Sequence, residues 1–458
     1  MKKLLLTAVC GLVAGQLAVA QTPRCGIDRV RAYMIQQHPE LLSAMALQRD
    51  KTAADGAAAD RAAGTARKTA GEVMIPVVFH VVLTQSQFDR IGGTAGIEQR
   101  VLSQMEVINE DFNAANADST GIPAVFRSRF GNAQIRFALA HRKPEGGGYV
   151  STPGYEVKII TGTDTVYNVD GGTRGSTYSC SDAKYNTAKG LPAWDPARYL
   201  NVWVVRITDY NSEGILGITM PPSYIVNYGM PTAEKGVVIT YGTLGRRRLA
   251  TDYYYEAPLD KGRTLTHELG HFFELDHVWG LDPGCGTDDD GIADTPPQDD
   301  ANYFCPQFPK DNCTHTNGGE MFMNYMDYVN DGCMHLFTHD QVQRMQQQIA
   351  AGGNSYPLTT HPELTEWPEA VAAVTPGQSL TIAPNPATTQ VTVAAGEGWE
   401  KLKALSIVDM AGRAVKAVPL QGMRNGALNI DLSGLDKGIY MVLCRFEAET
   451  ISRKLILQ

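Results

Sequence analysis

Apolar residues divide the chain into a polar leader, a long central region and a short tail. The run VMIPVVFHVVL, from residue 73, is rich in β-branched residues and predicts a buried strand. In residues 95–116 apolar side chains recur at helical spacing, at Ile97, Val101, Met105, Ile108 and Phe112. Three strand-like runs follow (AQIRFALAHR, YLNVWVVRI and GVVITYG), and then a helix that carries histidines. This order predicts an α+β domain, which we assign to residues 67–350.

After residue 350 the pattern changes twice. Residues 351–378 are rich in glycine and proline and predict a linker. Residues 379–458 contain short strand-like runs separated by turn residues, which predicts a small all-β sandwich.

The amino-terminal part of the chain reads as two removable segments. Residues 1–20 combine a positive start (MKK), an apolar stretch and AVA before Gln21, which is typical of a secretory signal peptide. Residues 21–66 are rich in alanine, glycine and charge, with few large apolar side chains to bury. They predict a leader, or propeptide, rather than a folded core.

Composition limits the function classes. The formal net charge of −9 argues against a nucleic acid or an anionic membrane as partner. Export implies an oxidising compartment, in which the cysteines can pair. Four of them cluster late in the central region, at Cys285, Cys305, Cys313 and Cys333. Three pairings of these four are possible.

The segment HELGHFFELDH, residues 267–277, carries the chemistry. His267 and His271 are four residues apart and share a helix face, with Glu268 beside them. Three protein ligands and an open fourth position are the arrangement of catalytic zinc, and Glu268 is placed to act as general base toward an activated water. On a continuous helix His277 would point away, so it can be a ligand only if the helix ends and the chain turns back.

Other interpretations of this segment are a chance pattern, a thermolysin-like peptidase with a downstream glutamate as third ligand, and an inactive protease-like adhesin. The third histidine argues against a chance pattern and, with the Met-turn-like segment described below, against a thermolysin-like peptidase. The presence of Glu268 together with all three histidines argues against an inactive scaffold. The segment resembles the metzincin metallopeptidases, and GRTLTHELGHFFELDHVWG is similar to the pappalysin family, in particular its bacterial ulilysin-type members. One departure is that Glu274 occupies the position where metzincins usually have glycine, in a turn that needs a positive φ.

The run MFMNYMDYVNDGCMHLFT, residues 321–338, resembles the Met-turn region of the same family. The resemblance implies that Met326 lies beneath the metal and that Tyr328 stabilises the oxyanion. It also implies that Asp331 forms the base of a pocket for arginine or lysine just after the scissile bond. Such a specificity would allow self-cleavage at Ala66–Arg67, where the leader meets the central domain.

The loop CGTDDDGIADTPPQ, residues 285–298, is either a solvated acidic loop or a calcium site, since calcium takes six to eight oxygen ligands. Its similarity to the ulilysin-type calcium loop implies ligands from Asp290, Asp294, Thr295 and the Ile292 carbonyl. The resemblance also implies disulfides Cys285–Cys313 and Cys305–Cys333.

The leader and the tail carry two further resemblances. Cys25, in PRCGIDRV, resembles the cysteine switch of pappalysin-type zymogens, in which a leader thiolate occupies the open zinc position. Residues 379–458 resemble the sorting domain of the type IX secretion system, through LTIAPNPATTQVTV and LSGLDKGIYMV. That resemblance implies a Gram-negative protein that crosses the periplasm, engages outer-membrane secretion machinery and is secreted. The peptidase interpretation implies proteins or peptides as its substrates.

Overall fold

The computed structural model describes residues 24–28, 30–31, 72–143, 154–162, 167–168, 178–208, 215–248, 254–280, 284–285, 290–313, 318–365, 380–395, 402–409, 414–421, 426–446 and 450–457. The signal peptide predicted at residues 1–20 and the proposed cleavage site at residues 66–67 lie outside this part of the chain. Within it, no helix is long and apolar enough to cross a membrane.

A mixed sheet forms the centre of the first domain. Its strands are β1 (Val73–Thr84), β2 (Ile135–Leu139), β3 (Tyr155–Ile160), β6 (Leu200–Val205), β8 (Gly217–Thr219) and β9 (Val237–Thr240). The order is β2-β1-β6-β9-β8, with β3 also paired to β1. All pairs are parallel except β8 with β9, so β8 forms an antiparallel edge. Short strands β4 (Tyr167–Asn168), β5 (Tyr178–Ser179) and β7 (Ile207–Thr208) form a separate small sheet.

Helices cover this sheet and carry the site. They are α1 (Gln85–Arg90), α2 (Gly93–Phe112), α3 (Pro222–Asn227), α4 (Arg263–Phe272) and α5 (His339–Ile349). The helical spacing seen in residues 95–116 corresponds to α2, whose apolar face is buried in the main core. The ten residues of α4 are all buried, between α2 and the β8–β9 edge of the sheet. This packing fixes the helix that carries the first two histidines.

The predicted linker begins later than residue 351. Residues 356–360 and 362–364 form 3₁₀ turns, and the side chains of Leu358 and Leu364 are 2% exposed. The amide of His141 donates to the carbonyl of Leu364 at 2.8 Å. Glycine and proline suggested a linker, but the leucines between them bury enough apolar surface to hold this segment against the first domain.

The tail is all antiparallel β structure. Strands β10 (Leu380–Ala383), β11 (Gln390–Ala395) and β14 (Ala427–Asp431) form one sheet. Strands β12 (Ala404–Asp409), β13 (Ala414–Val418), β15 (Gly438–Arg445) and β16 (Thr450–Leu457) form the other. Alternating apolar residues of both sheets share one core, which confirms the predicted sandwich.

Candidate active site

The first two histidines project from one face of α4 and are held by backbone carbonyls. Nδ1 of His267 lies 2.7 Å from the carbonyl of Tyr325, and Nδ1 of His271 lies 2.7 Å from the carbonyl of Leu275. Each Nδ1–H donates to its carbonyl, which leaves the Nε2 lone pair of each ring free for a ligand. Burial lowers the pKa of both rings, that of His271 to about 3, so both are neutral.

The helix ends in a turn that brings the third histidine back. The amide of Leu275 donates to Gly270 at 3.0 Å and that of Glu274 donates to His271 at 3.0 Å, which is the Schellman arrangement. Its left-handed residue is Glu274, with φ of 68°. The Glu274 carboxylate accepts from the Ser223 amide at 2.8 Å and hydroxyl at 2.6 Å, which offsets the backbone strain.

The three rings fit a metal ion. Nε2 of His271 lies 3.2 Å from Nε2 of His267 and 3.1 Å from Nε2 of His277. Nitrogens bound to one tetrahedral zinc at 2.0–2.1 Å would be about 3.3 Å apart. Lone pairs that face one another this closely in a buried site repel unless a cation lies between them. The residues therefore have the donor type, spacing and burial that zinc requires.

Cys25 of the leader completes the group. Its sulfur and the three ring nitrogens all lie within 4.8 Å of one another. Burial raises the pKa of the Cys25 thiol well above its ordinary value, so a nearby cation would be needed to hold it as thiolate. Among the described residues, these four side chains form a cluster whose atoms are close enough together to bind one metal ion.

Glu268 lies beside this group. Its side chain is fully buried and fits against the edge strand β8, where a Cβ on Gly217 would come within 2.6 Å of it. Burial raises the pKa of Glu268 to about 8, while the adjacent Cys25 and Thr219 oppose that shift. The carboxyl group is positioned to exchange a proton within the site.

Met326 packs against the helix that carries the histidines, and Tyr328 packs against the histidine rings. The Met326 side chain is fully buried and packs so closely on Gly270 that no Cβ would fit there. The Tyr328 ring lies 4.8 Å from that of His277, and its hydroxyl is 3.4 Å from the Cys25 carbonyl and from Asp28. The structure thus brings Tyr328 to the metal site, where the leader now covers it.

The leader pairs with the open edge of the sheet. Cys25 forms a parallel bridge with Gly217, and the amide of Gly26 donates to the Gly217 carbonyl at 2.9 Å. Arg24 forms an ion pair with Asp331 and donates to the Val329 carbonyl at 2.6 Å. The other oxygen of Asp331 accepts from the amides of Lys261 and Arg263, at the start of α4. Asp331 is fully buried, and its partner is a leader arginine.

The acidic loop is only partly assembled. The Thr295 hydroxyl lies 2.8 Å from both the Asp290 carboxylate and the Ile292 carbonyl. The Asp294 carboxylate instead accepts from the amide of Asp340, at the start of α5. Three of the four predicted calcium ligands are therefore close together. The disulfides Cys285–Cys313 and Cys305–Cys333 are both present and close two overlapping loops.

Several contacts were not predicted from the sequence. Asp28 contacts Nδ1 of His277 at 3.1 Å, and although burial raises its pKa, the histidine outweighs this and lowers it. Arg31 pairs with Asp276, directly before the third histidine. These residues resemble the other solvated charges of the leader, and only their position near Cys25 could have indicated a role.

Comparisons with known proteins agree with this geometry. The family model for pregnancy-associated plasma protein-A matches residues 185–350, and that for the secretion system C-terminal sorting domain matches residues 381–458. Extracellular metalloproteases of Arthroderma benhamiae and Arthroderma otae are 43% and 37% identical, over 21% and 30% of this chain. The chain matches a third to a half of the length of these relatives (33% and 46%).

Two solved structures match more extensively. Tannerella forsythia mature mirolysin in complex with a cleaved peptide is 38% identical, with a TM-score of 0.55, over 65% of this chain and 100% of that chain. A promirolysin mutant from the same organism is 34% identical, with a TM-score of 0.59, over 75% of this chain and 100% of that chain. The chain belongs to the pregnancy-associated plasma protein-A family of zinc metallopeptidases, and it carries a secretion sorting domain at its carboxyl end.

Proposed function

We propose that this protein is a secreted zinc endopeptidase made as a latent zymogen. The observation that carries the proposal is the buried group of Cys25, His267, His271 and His277, in which three ligands come from the catalytic domain and one from the leader. The first test is hydrolysis of casein by the activated protein, with and without a chelator, followed by zinc restoration. Activity that a chelator removes and zinc restores supports an enzyme. A zinc-loaded protein without activity would instead favour a binding protein on a protease scaffold.

Bound zinc would polarise the scissile carbonyl and activate a water molecule. Glu268 then takes a proton from the nucleophile and passes it to the leaving amine, a role for which a raised pKa is suitable. The Tyr328 hydroxyl stabilises the developing oxyanion once the leader has left, because the two hydrogen bonds that it makes at 3.4 Å are to the leader residues Cys25 and Asp28. The carbonyls of Tyr325 and Leu275 keep the histidine rings in place.

The contacts of Arg24 in the leader suggest which substrate residue binds just after the scissile bond. The guanidinium of Arg24 is buried against Asp331 and the Val329 carbonyl, directly before the leader residue that faces the histidines. A substrate arginine or lysine would find the same carboxylate after leader release. Cleavage before basic residues is therefore the specificity that we propose for protein or peptide substrates.

The acidic loop would bind calcium through Asp290, Thr295 and the Ile292 carbonyl. The Thr295 hydroxyl already lies within 3.0 Å of both Asp290 carboxylate oxygens and of the Ile292 carbonyl. Asp294 would join them after a change of its side-chain conformation. The carboxyl-terminal sandwich would direct the protein from the periplasm through the outer membrane, in keeping with its sorting-domain match.

A further inference from the structure

A second leader arginine occupies a pocket at the other end of the cleft. Arg31 is 5% exposed, and its Nη2 donates to Asp276 at 2.5 Å. The guanidinium also lies over the ring of Tyr224, 5.5 Å from its centroid. Asp28, on the leader itself, is a weaker neighbour at 3.8 Å. A carboxylate and an aromatic face together form a site suited to a guanidinium.

The catalytic domain builds this pocket without help from the leader. Asp276 lies between the end of α4 and the third histidine, and Tyr224 lies on α3. Glu274 joins the two elements by accepting from Ser223, the residue before Tyr224.

Another cation of the domain faces Asp276 but is engaged elsewhere. Arg344 is close enough to interact electrostatically with Asp276, but its guanidinium donates to the carbonyls of Asp290 at 3.2 Å and Gly291 at 2.9 Å. When the leader departs, Asp276 therefore loses the partner that it contacts directly. The carboxylate and the aromatic face that held Arg31 are then available to another cation.

The pocket lies across the histidines from Asp331. Asp331 accepts from the amide of Arg263 at the start of α4, and Asp276 follows its last turn. Ten helical residues span about 15 Å, so an extended chain crossing the site could reach both carboxylates with side chains on opposite sides of the scissile bond. If Asp331 receives the residue after that bond, Asp276 receives one before it.

We propose that Asp276 and Tyr224 form a second cation-binding subsite, which recognises an arginine on the amino-terminal side of the scissile bond. The inference rests on the proposed function. It also assigns Arg31 as the leader residue that occupies this subsite in the zymogen. Substrates with two basic residues, one on each side of the bond, are the class that the mature enzyme would cut best.

The test uses the mature, leader-free protein and a set of peptides with arginine fixed after the scissile bond. A second arginine is placed at each of the four preceding positions in turn, and each peptide has a partner with citrulline, which is the same size and uncharged. At one position we expect kcat/KM for arginine to exceed that for citrulline by about tenfold, as for a charge-assisted hydrogen bond.

Variants identify the subsite. In Asp276→Asn the ratio of arginine to citrulline should fall to about one, and in Asp276→Lys a glutamate should be preferred over arginine at that position. Tyr224→Leu should lower the ratio by a smaller factor. The matched control is Asp195→Asn, an exposed aspartate next to a separate core cluster, which should keep the ratio of the unaltered enzyme. Zinc content is measured for each variant, because Asp276 adjoins a proposed metal ligand.

The outcomes separate the two hypotheses. Cleavage before arginine with a ratio of one at all four positions would overturn the subsite and leave the proposed function intact. A ratio that survives in Asp276→Asn would also overturn it. A zinc-loaded protein that cuts none of the peptides would overturn the proposed function, and the subsite with it.

Discussion

At the scale of single residues, the site depends on groups whose ionisation is set by burial. Glu268 is fully buried beside three imidazoles, and burial disfavours its charged form. The same burial keeps His267 and His271 neutral, with their Nε2 atoms available as ligands. Burial thus has two effects side by side: it raises the proton affinity of the carboxyl group, and it keeps the neighbouring imidazoles neutral so that they can act as ligands.

Replacing Glu268 with alanine should abolish proteolysis while zinc binding remains. The carboxylate does not coordinate in the proposed arrangement, so its removal takes away proton transfer alone. We expect a loss of at least about a hundredfold in kcat/KM, with about one zinc per chain. Casein hydrolysis and metal analysis of the same preparation provide the measurement. Residual activity close to that of the unaltered protein would refute the general-base role.

Glu274 leads to a prediction about pH. Burial raises its pKa from an ordinary value of 4.5 to about 7, so the folded chain holds this proton more tightly than the unfolded chain. Glu274 therefore lowers the free energy of unfolding as pH rises from about 4.5 to about 7, and the loss persists above that range. The stability of Glu274→Gln relative to the parent should therefore rise progressively over that interval, by up to about 3 kcal/mol.

Urea unfolding between pH 5 and 8 measures this difference, in a Glu268→Ala background that prevents self-digestion. Asp195→Asn, at an exposed turn, is the control and should give a difference that does not change with pH. A constant difference for Glu274→Gln as well would show that the carboxyl is not held protonated by burial.

At the scale of elements, the turn after α4 and the edge strand β8 define the cleft. The spacing of the histidines required a helix that ends before His277, and the structure contains that turn with Glu274 as its left-handed residue. The sequence could not indicate that hydrogen bonds from Ser223 offset the backbone strain at Glu274, because Ser223 lies 51 positions away and on another helix. Similarly, the residues that flank Cys25 indicated its role as a zinc ligand. They could not indicate its pairing with Gly217, because that pairing requires β8 to be the edge strand of the folded sheet.

Replacing Cys25 with alanine should shorten latency. The leader would lose the sulfur that faces the three histidines but keep its arginine contacts, so activation should accelerate without becoming immediate. The time course of casein hydrolysis after dilution of purified precursor provides the measurement. Cys180→Ala, which removes a cysteine buried in a different cluster, is the matched control. Equal activation times for the two variants would contradict the switch.

Removal of calcium should destabilise the catalytic domain without releasing zinc. A ligand present at a hundred times its dissociation constant stabilises a fold by about 2.7 kcal/mol, which corresponds to a shift on the order of 5–10 °C for a domain of this size. Thermal unfolding with buffered zinc, with and without a calcium chelator, measures the shift. Asp290→Ala should abolish the calcium response, and if it does not, calcium binds elsewhere or not at all.

At the scale of the whole molecule, the division into an α+β domain and a sandwich followed from hydrophobic patterning together with the glycine, proline and turn residues that separate the apolar runs. Both folds have strong local signals, namely β-branched runs, one long amphipathic helix and regularly spaced short strands. The end of the first domain was less accurate, because Leu358 and Leu364 dock through distant contacts that a local pattern of glycine and proline conceals. The leader was read as weakly structured, although residues near Cys25 bury two arginines on the catalytic domain.

The leader contacts predict how the molecule matures. Residues 24–31 hold the leader through Arg24, Cys25 and Arg31, so a cut at Ala66–Arg67 would break the chain but leave the blocking segment bound. Because that bond precedes an arginine, the enzyme should cut it in itself and yield a mature terminus at Arg67. Amino-terminal sequencing of the active form checks this, with Glu268→Ala as a precursor that stays intact until a trace of active enzyme is added.

Arg67→Ala should slow processing, and mass spectrometry after native separation should show the cut leader still associated at early times. A mature terminus that is neither arginine nor lysine, or a Glu268→Ala precursor that processes itself, would mean that another protease performs the activation.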